Sequence, residues 1–179
     1  MKRRLSSLPL HTLHWSLLFL FAACAVPQHS TGNKIGNKAP EILCDGVKGD
    51  CDPLSSLEGK MVLIEFWAST CDPCRDVHFE MDRLYRKYQQ STFKDGKGFT
   101  IYSVAIDQDH DQWEQAVKED RVSWDNQLCD PRKWNAPAIL DYEINSLPKY
   151  FLVDGDGVIV DRALLINDLD KVLAEYQVR

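Results

Sequence analysis

The sequence predicts an α/β domain in three layers, a central mixed sheet with helices on both faces. Three observations carry the prediction. Residues 61–64 form a continuous apolar run that leads through Glu65 into Phe66 and Trp67, the pattern of a strand buried on both sides. Residues 99–106 (FTIYSVAI) are β-rich and lie between two helix-patterned segments. Two short β-rich runs, 150–153 and 158–160, flank Asp154-Gly155-Asp156-Gly157 and precede a last helix. A βα part followed by a hairpin and helix makes the sheet mixed.

At 179 residues the chain has room for one domain with appendages. Residues 1–23 read as an export signal, with basic Lys2, Arg3 and Arg4, an apolar stretch over 15–23 and small residues before Cys24. That stretch is short for a membrane span. Residues 24–37 are polar, Gly- and Pro-punctuated and without period, which suits a tether. The domain is expected over 38–179. Removing residues 1–23 takes away three of the 21 basic residues and none of the 27 acids, so the formal charge goes from −6 to −9. An acidic surface argues against nucleic acid as a partner.

Within the domain, residues 41–44 suit a short strand, Asp45-Gly46 and 48–50 a turn, and Cys51 its return, giving an N-terminal β-hairpin. In an exported protein a Cys44–Cys51 bridge could clip that hairpin, although register is not readable from sequence. A zinc site there is the weaker alternative, because His and Cys partners do not cluster. Residues 54–60 form a turn into the central strand. From Cys74 to Gln90, Val77, Met81, Leu84 and Tyr88 make one apolar helix stripe, and Gly96-Lys97-Gly98 ends it. Residues 109–121 suit a surface helix with Trp113 and Val117 inward. Residues 122–142, with Trp124, Cys129 and Trp134, show no clear period; Cys129 is expected to be a buried, unreactive thiol. Asn167 is expected to cap a closing helix that turns Leu169, Val172, Leu173 and Tyr176 inward.

The chemistry sits where the central strand meets its helix, at Cys71-Asp72-Pro73-Cys74. Two residues between the thiols let them close a bridge, and such a pair at a helix start is a redox site. Cys71, at the first turn, gains from free N–H groups and the macrodipole as a thiolate, so it would attack a substrate disulfide. Cys74, one turn inward, would resolve the mixed disulfide. Pro73 suits an early helical position, where its missing N–H is not needed. Asp72 is a negative charge beside the attacking sulfur and opposes thiolate formation. A disfavoured thiolate weakens the reduced form relative to strong oxidants, which points to a reductant.

Phe66-Trp67-Ala68-Ser69 followed by Cys71-Asp72-Pro73-Cys74-Arg75 resembles the TlpA/ResA-like branch of the thioredoxin-like superfamily, exported and often membrane-anchored thiol–disulfide oxidoreductases. Leu147-Pro148 with residues 150–157 resembles that family's cis-Pro loop and hairpin, so the likeness covers about 38–179. It implies a thioredoxin-like fold, a proton-accepting role for Glu65 towards the inner thiol, and a cis bond at Leu147-Pro148 opposite the cysteines. A carboxyl inside an apolar strand is placed for general-base work near neutrality. Leu147, through its backbone, and Trp67 are expected to meet the client. Residues 21–24 (FAAC) resemble a lipobox, implying lipidation at Cys24, with Phe21 in place of the usual Leu.

The resemblance also implies a cell-envelope or periplasmic location, disulfide-containing protein clients such as apocytochrome c, and a membrane electron donor. The dithiol reaction asks for no cofactor or metal. An oxidase or isomerase of the same fold, or a redox-silent binding module, are the alternatives. A peroxiredoxin needs a Thr where Ala68 stands. The sequence departs from the family at Thr70 (usually Trp), Val77 (often Glu) and Phe79 (often Pro), the last suggesting a straighter helix. His78 is expected on a solvated helix face, His110 in a loop without a ligand set, and Asp154-Gly155-Asp156-Gly157 in a hairpin turn and not a calcium loop.

Overall fold

Strand β1 (Met61–Trp67) is buried along its whole length because the sheet continues on both sides of it and side chains cover both faces. The structure is a computed structural model describing residues 29–43 and 52–178. The expected signal segment, Cys24 and the Cys44–Cys51 pair lie outside the described residues. The remaining strands of the main sheet are β4 (Phe99–Ala105), β5 (Asn126–Cys129), β6 (Lys149–Val153) and β7 (Ile159–Asp161). A separate short ribbon, β2 (Thr92–Phe93) with β3 (Gly96–Lys97), precedes β4. The sheet order is β5-β4-β1-β6-β7. β4 lies parallel to β1 and β5 parallel to β4, whereas β6 is antiparallel to β1 and β7 antiparallel to β6, so the sheet is mixed as expected.

Alternation along the strands separates two apolar layers. Val62, Ile64, Phe66, Tyr102, Val104 and Phe151 face one side, with Ile139 and Tyr142 of the segment around α4 (Pro137–Asp141). Met61, Leu63, Ile101 and Leu152 face the other, against Met81, Leu84 and Tyr88 of α2 (His78–Tyr88) and Leu169 and Leu173 of α5 (Ile166–Tyr176). Helix α3 (His110–Glu119) begins at Asp109, whose carboxylate accepts from the Asp111 and Gln112 amides, and it buries Trp113 and Ala116.

Several expectations are corrected. The helix after the cysteines is not straight: α1 (Asp72–Arg75) has four residues and stops before α2 begins at His78, with Phe79 exposed beyond the break. Strand β5 lies where the sequence shows no period, because NQLC is short and half polar. Asn167 lies inside α5, whose N-cap is Leu165 without a side-chain bond. Residues 41–43 form no strand, and the rest of the expected N-terminal hairpin is outside the described residues. Residues 30–37, expected as tether, are hydrogen-bonded to the domain. The Gly36 amide donates to the Ile159 carbonyl, and the Ile159 amide donates to the Asn37 carbonyl. No helix among the described residues is long and apolar enough to cross a membrane.

The 154–157 turn forms as expected, with the Asp154 carboxylate accepting from the Asp156 and Val158 amides and Gly157 at φ 77°. Gly155 packs against the tip of the β2–β3 ribbon, where an added Cβ would lie 1.7 Å from the Asp95 carbonyl oxygen. Backbone on both sides leaves nothing to yield. Gly155→Ala is therefore expected to lose about 1–3 kcal/mol of unfolding free energy by urea denaturation.

Arg75 ties the cysteine helix to the end of α3. Its guanidinium donates to both oxygens of Asp120 at 2.7–3.1 Å and to Glu119 at 2.9 Å. Burial opposes ionisation of Asp120, but the bonds from Arg75 and from His78 outweigh it and hold its carboxyl below the usual range. A depressed folded-state value means that this stability is present above the ordinary carboxylate range and is lost as pH falls through the folded value. Arg75→Met is expected to lower unfolding free energy by about 1–3 kcal/mol at neutral pH. In urea melts the difference should shrink as pH is taken down through the carboxylate range.

Candidate active site

Strand β1 ends at Trp67, and a tight turn follows in which the Cys71 amide donates to the Ala68 carbonyl. Ser69 anchors that turn to the end of β4 through Asp107, whose carboxylate accepts from both the Ser69 amide and hydroxyl. Cys71 is thereby set as the N-cap of α1, and its carbonyl accepts from the Cys74 and Arg75 amides. Asp72 and Pro73 occupy the first turn and are exposed; Thr70 is exposed beside them. Cys71 and Cys74 form a disulfide, S–S 2.01 Å, with Cα atoms 5.3 Å apart. Cys71 is half-buried and Cys74 fully buried. Only one sulfur of the bridge is thus open to an approaching thiol.

Beneath the bridge is an apolar cluster of Trp67, Cys74, Ala105, Trp113, Ala116 and Cys129. Trp67, expected to meet the client, is corrected: it is fully buried, because it packs into this cluster beneath the bridge. Cys129 is buried as expected. Its thiol donates to the Asp107 carbonyl, and burial, reinforced by Asp107, pushes its pKa up to about 11.

Glu65 lies on the same face as Trp67, two residues back along β1, and is wholly buried. Ser103, its partner on β4, donates to Glu65 Oε2 at 2.7 Å, and Trp124 Nε1 donates to Ser103 Oγ at 3.0 Å. The other carboxylate oxygen faces His78 Nε2 at 3.2 Å. His78 is corrected most sharply: expected in solvent, it is 1% exposed, its ring edge-on to Trp67 at 4.7 Å. Its second nitrogen, Nδ1, lies 2.8 Å from Asp120 Oδ2. Burial disfavours its charge, yet the carboxylates of Glu65 and Asp120 together raise its pKa. Sequence reading missed this histidine although a signal existed. His78 stands three residues before Met81, in phase with Leu84 and Tyr88 on the buried stripe.

The Leu147-Pro148 bond is cis. Leu147 and Cys71 pack against the same two apolar clusters, and both line a groove of about 430 Å³. Its other walls include Thr70, Gln112, Lys133 and the half-exposed Trp134. The groove gives an extended segment access to the partly exposed sulfur. His110, expected in a loop, starts α3 and gathers with Asp111 and Glu114 at the surface. Exposed groups of this kind are satisfied by water.

A thioredoxin-like family model matches residues 59–159. The thiol-disulfide oxidoreductase ResA of Bacillus cereus is 30% identical over 131 residues, covering 73% of this chain and 70% of that protein. Among solved structures, the thioredoxin domain of a thiol-disulfide oxidoreductase from Bacteroides vulgatus superposes with a TM-score of 0.69 at 28% identity, covering 80% of this chain and 97% of the other. A thiol:disulfide interchange protein from a Bacteroides species gives 0.67 at 30%, covering 83% and 90%. With the bridged Cys71–Cys74 pair at the strand–helix junction and the cis-proline loop beside it, the chain belongs to the thioredoxin-like family as a thiol–disulfide oxidoreductase.

Proposed function

We propose that the chain is an exported reductase of protein disulfides, anchored to the cell envelope through a lipid on Cys24. The observation that carries the reaction is the unequal exposure of the two bridged sulfurs, with Cys71 open to the groove and Cys74 sealed beneath it. The reduced protein would attack a client disulfide with the Cys71 thiolate, breaking the client S–S bond and forming a mixed disulfide. Cys74 then attacks Cys71 Sγ, the client leaves as a dithiol, and two electrons have passed to it. Glu65 accepts the Cys74 proton. Leu147 offers backbone to an extended client, and Thr70 and Trp134 border its path.

Reduction is favoured over oxidation by Asp72, which places a negative charge next to the attacking sulfur. Export and anchoring are supported by residues 1–24, and an oxidising envelope would require a membrane partner to return electrons. The clients are proteins of that compartment that carry disulfides.

Redox titration decides the direction. A potential near about −270 mV is expected, and one near about −120 mV would make the chain an oxidant instead. Cys74→Ser should retain client proteins as mixed disulfides on Cys71, whereas Cys71→Ser should retain none; an empty Cys74→Ser trap would defeat the assignment. Glu65→Gln should slow insulin reduction on the order of 10²-fold and displace the pH–rate profile. An unchanged profile would remove Glu65 from the proton step.

A further inference from the structure

Glu65 has no contact with solvent, yet a group that takes the Cys74 proton in one half of a cycle must release it in the other. The surroundings of its carboxylate leave few routes. Ser103 donates its hydroxyl hydrogen to Glu65 and accepts from Trp124, and an indole N–H accepts nothing, so that branch ends inside the protein. Tyr150, opposite Glu65 on β6, has a buried hydroxyl without a hydrogen-bond partner and leads nowhere. The third neighbour is His78, and among the described residues it alone connects onward.

We infer that His78 is a positioning residue of the exchange reaction, carrying the proton between Glu65 and the protein surface at Asp120. The inference rests on Glu65 as the acceptor of the Cys74 proton. Imidazole is the side chain suited to this task, since it can gain a proton at one nitrogen and give one up at the other. Here each nitrogen meets a different carboxylate, Glu65 at 3.2 Å and Asp120 at 2.8 Å. One end of the path is wholly buried and the other is 12% exposed at the side chain.

The charges around the ring fit the same role. From β1 it faces Glu65, and from the end of α3 it faces Asp120. Asp120 is itself gripped by Arg75 of α1, which also holds Glu119. Among the described residues β4 brings Ser103, which carries no charge, and the rings of Trp124, just before β5, and Trp67, at the end of β1, complete the pocket. The two acids favour imidazolium, while burial opposes it. Arg75 keeps Asp120 ionised, so Asp120 passes a proton to water and does not retain it.

The step balances. Cys74 S–H gives its proton to Glu65 as the Cys74 sulfur forms its bond to Cys71 Sγ and the bond from Cys71 to the client sulfur breaks with its electron pair on the client. Glu65 passes the proton to Nε2 of His78 while the ring is the neutral Nδ1–H imidazole, and the imidazolium so formed, which the two acids favour, releases its Nδ1 proton through Asp120 to water. The departing client thiolate takes up a proton from the same water. In re-reduction the path runs the other way.

The experiment compares wild type, His78→Gln and Asp120→Asn in the rate of insulin reduction across pH, with circular dichroism to confirm folding. Nitrogen NMR of the His78 ring is followed in oxidised and reduced wild type. His78→Gln is expected to slow the resolving step about tenfold and to displace the pH–rate profile, and Asp120→Asn to displace it in part. The ring signals should shift between the oxidised and reduced protein. Unchanged profiles in folded variants, with ring signals indifferent to redox state, would overturn the relay while leaving Glu65 in place. A Glu65→Gln variant with the wild-type profile would remove the acceptor itself, and the relay with it. If His78→Gln does not fold, Asp120→Asn and the wild-type ring signals decide the matter.

Discussion

A carboxylate sealed into the middle of the central strand is the constraint from which the active-site architecture follows. β1 is hydrogen-bonded on both edges and covered on both faces, so Glu65 cannot reach water by any local movement. An ionised carboxylate left unpaired there would destabilise the fold by several kcal/mol. Ser103 satisfies one of its oxygens from the neighbouring strand, and His78 satisfies the other from the helix layer. His78 begins α2, so pairing it with Glu65 fixes where the helix behind the cysteines resumes after its break. The position of that helix in turn fixes the buried cysteine ahead of it. Arg75 and Asp120 extend the same chain of contacts to the end of α3, and one network thus holds β1, α1, α2 and the end of α3 together.

Strong local patterns were legible and composite ones were not. The run of residues 61–67, the Cys71–Cys74 spacing and the 154–157 turn each declare themselves within a few residues, because burial on two faces, helix start and turn geometry select for residue type directly. β5 does not, since Asn126 and Gln127 are held in a strand only by pairing with β4, a contact between distant segments. Trp67 reads as a client-facing aromatic from its place near the cysteines, but it ends a strand covered on both faces, and either orientation buries it. His78 was read by its polarity, and its spacing from Met81 pointed inward instead. Residues 30–37 look like tether by composition, yet the edge of β7 offers them backbone partners.

The departures from the family's usual residues gain meaning in this frame. Val77, where relatives often carry an acid, is half-buried against the α2–α5 layer and contributes packing only. Behind the dithiol the buried acid is Glu65, which connects through the imidazole to Asp120. Phe79, in the usual place of proline, does not keep the helix continuous. The break at residues 76–77 arises without it, where the chain turns His78 inward.

Cys129 offers an internal gauge of what the buried sulfur must overcome. It shares an apolar cluster with Cys74, and there burial holds its thiol protonated well past neutrality. Cys74 lies in the same apolar surroundings, at a helix of only four residues with limited dipole. The proposed proton step draws on Glu65, among the described residues the carboxylate buried completely. Cys129 has no such partner, its thiol being turned to the Asp107 carbonyl, which accepts a hydrogen bond but takes no proton. Two thiols in one apolar cluster thus differ in chemistry because only one of them lies at a helix start with a second thiol three residues away.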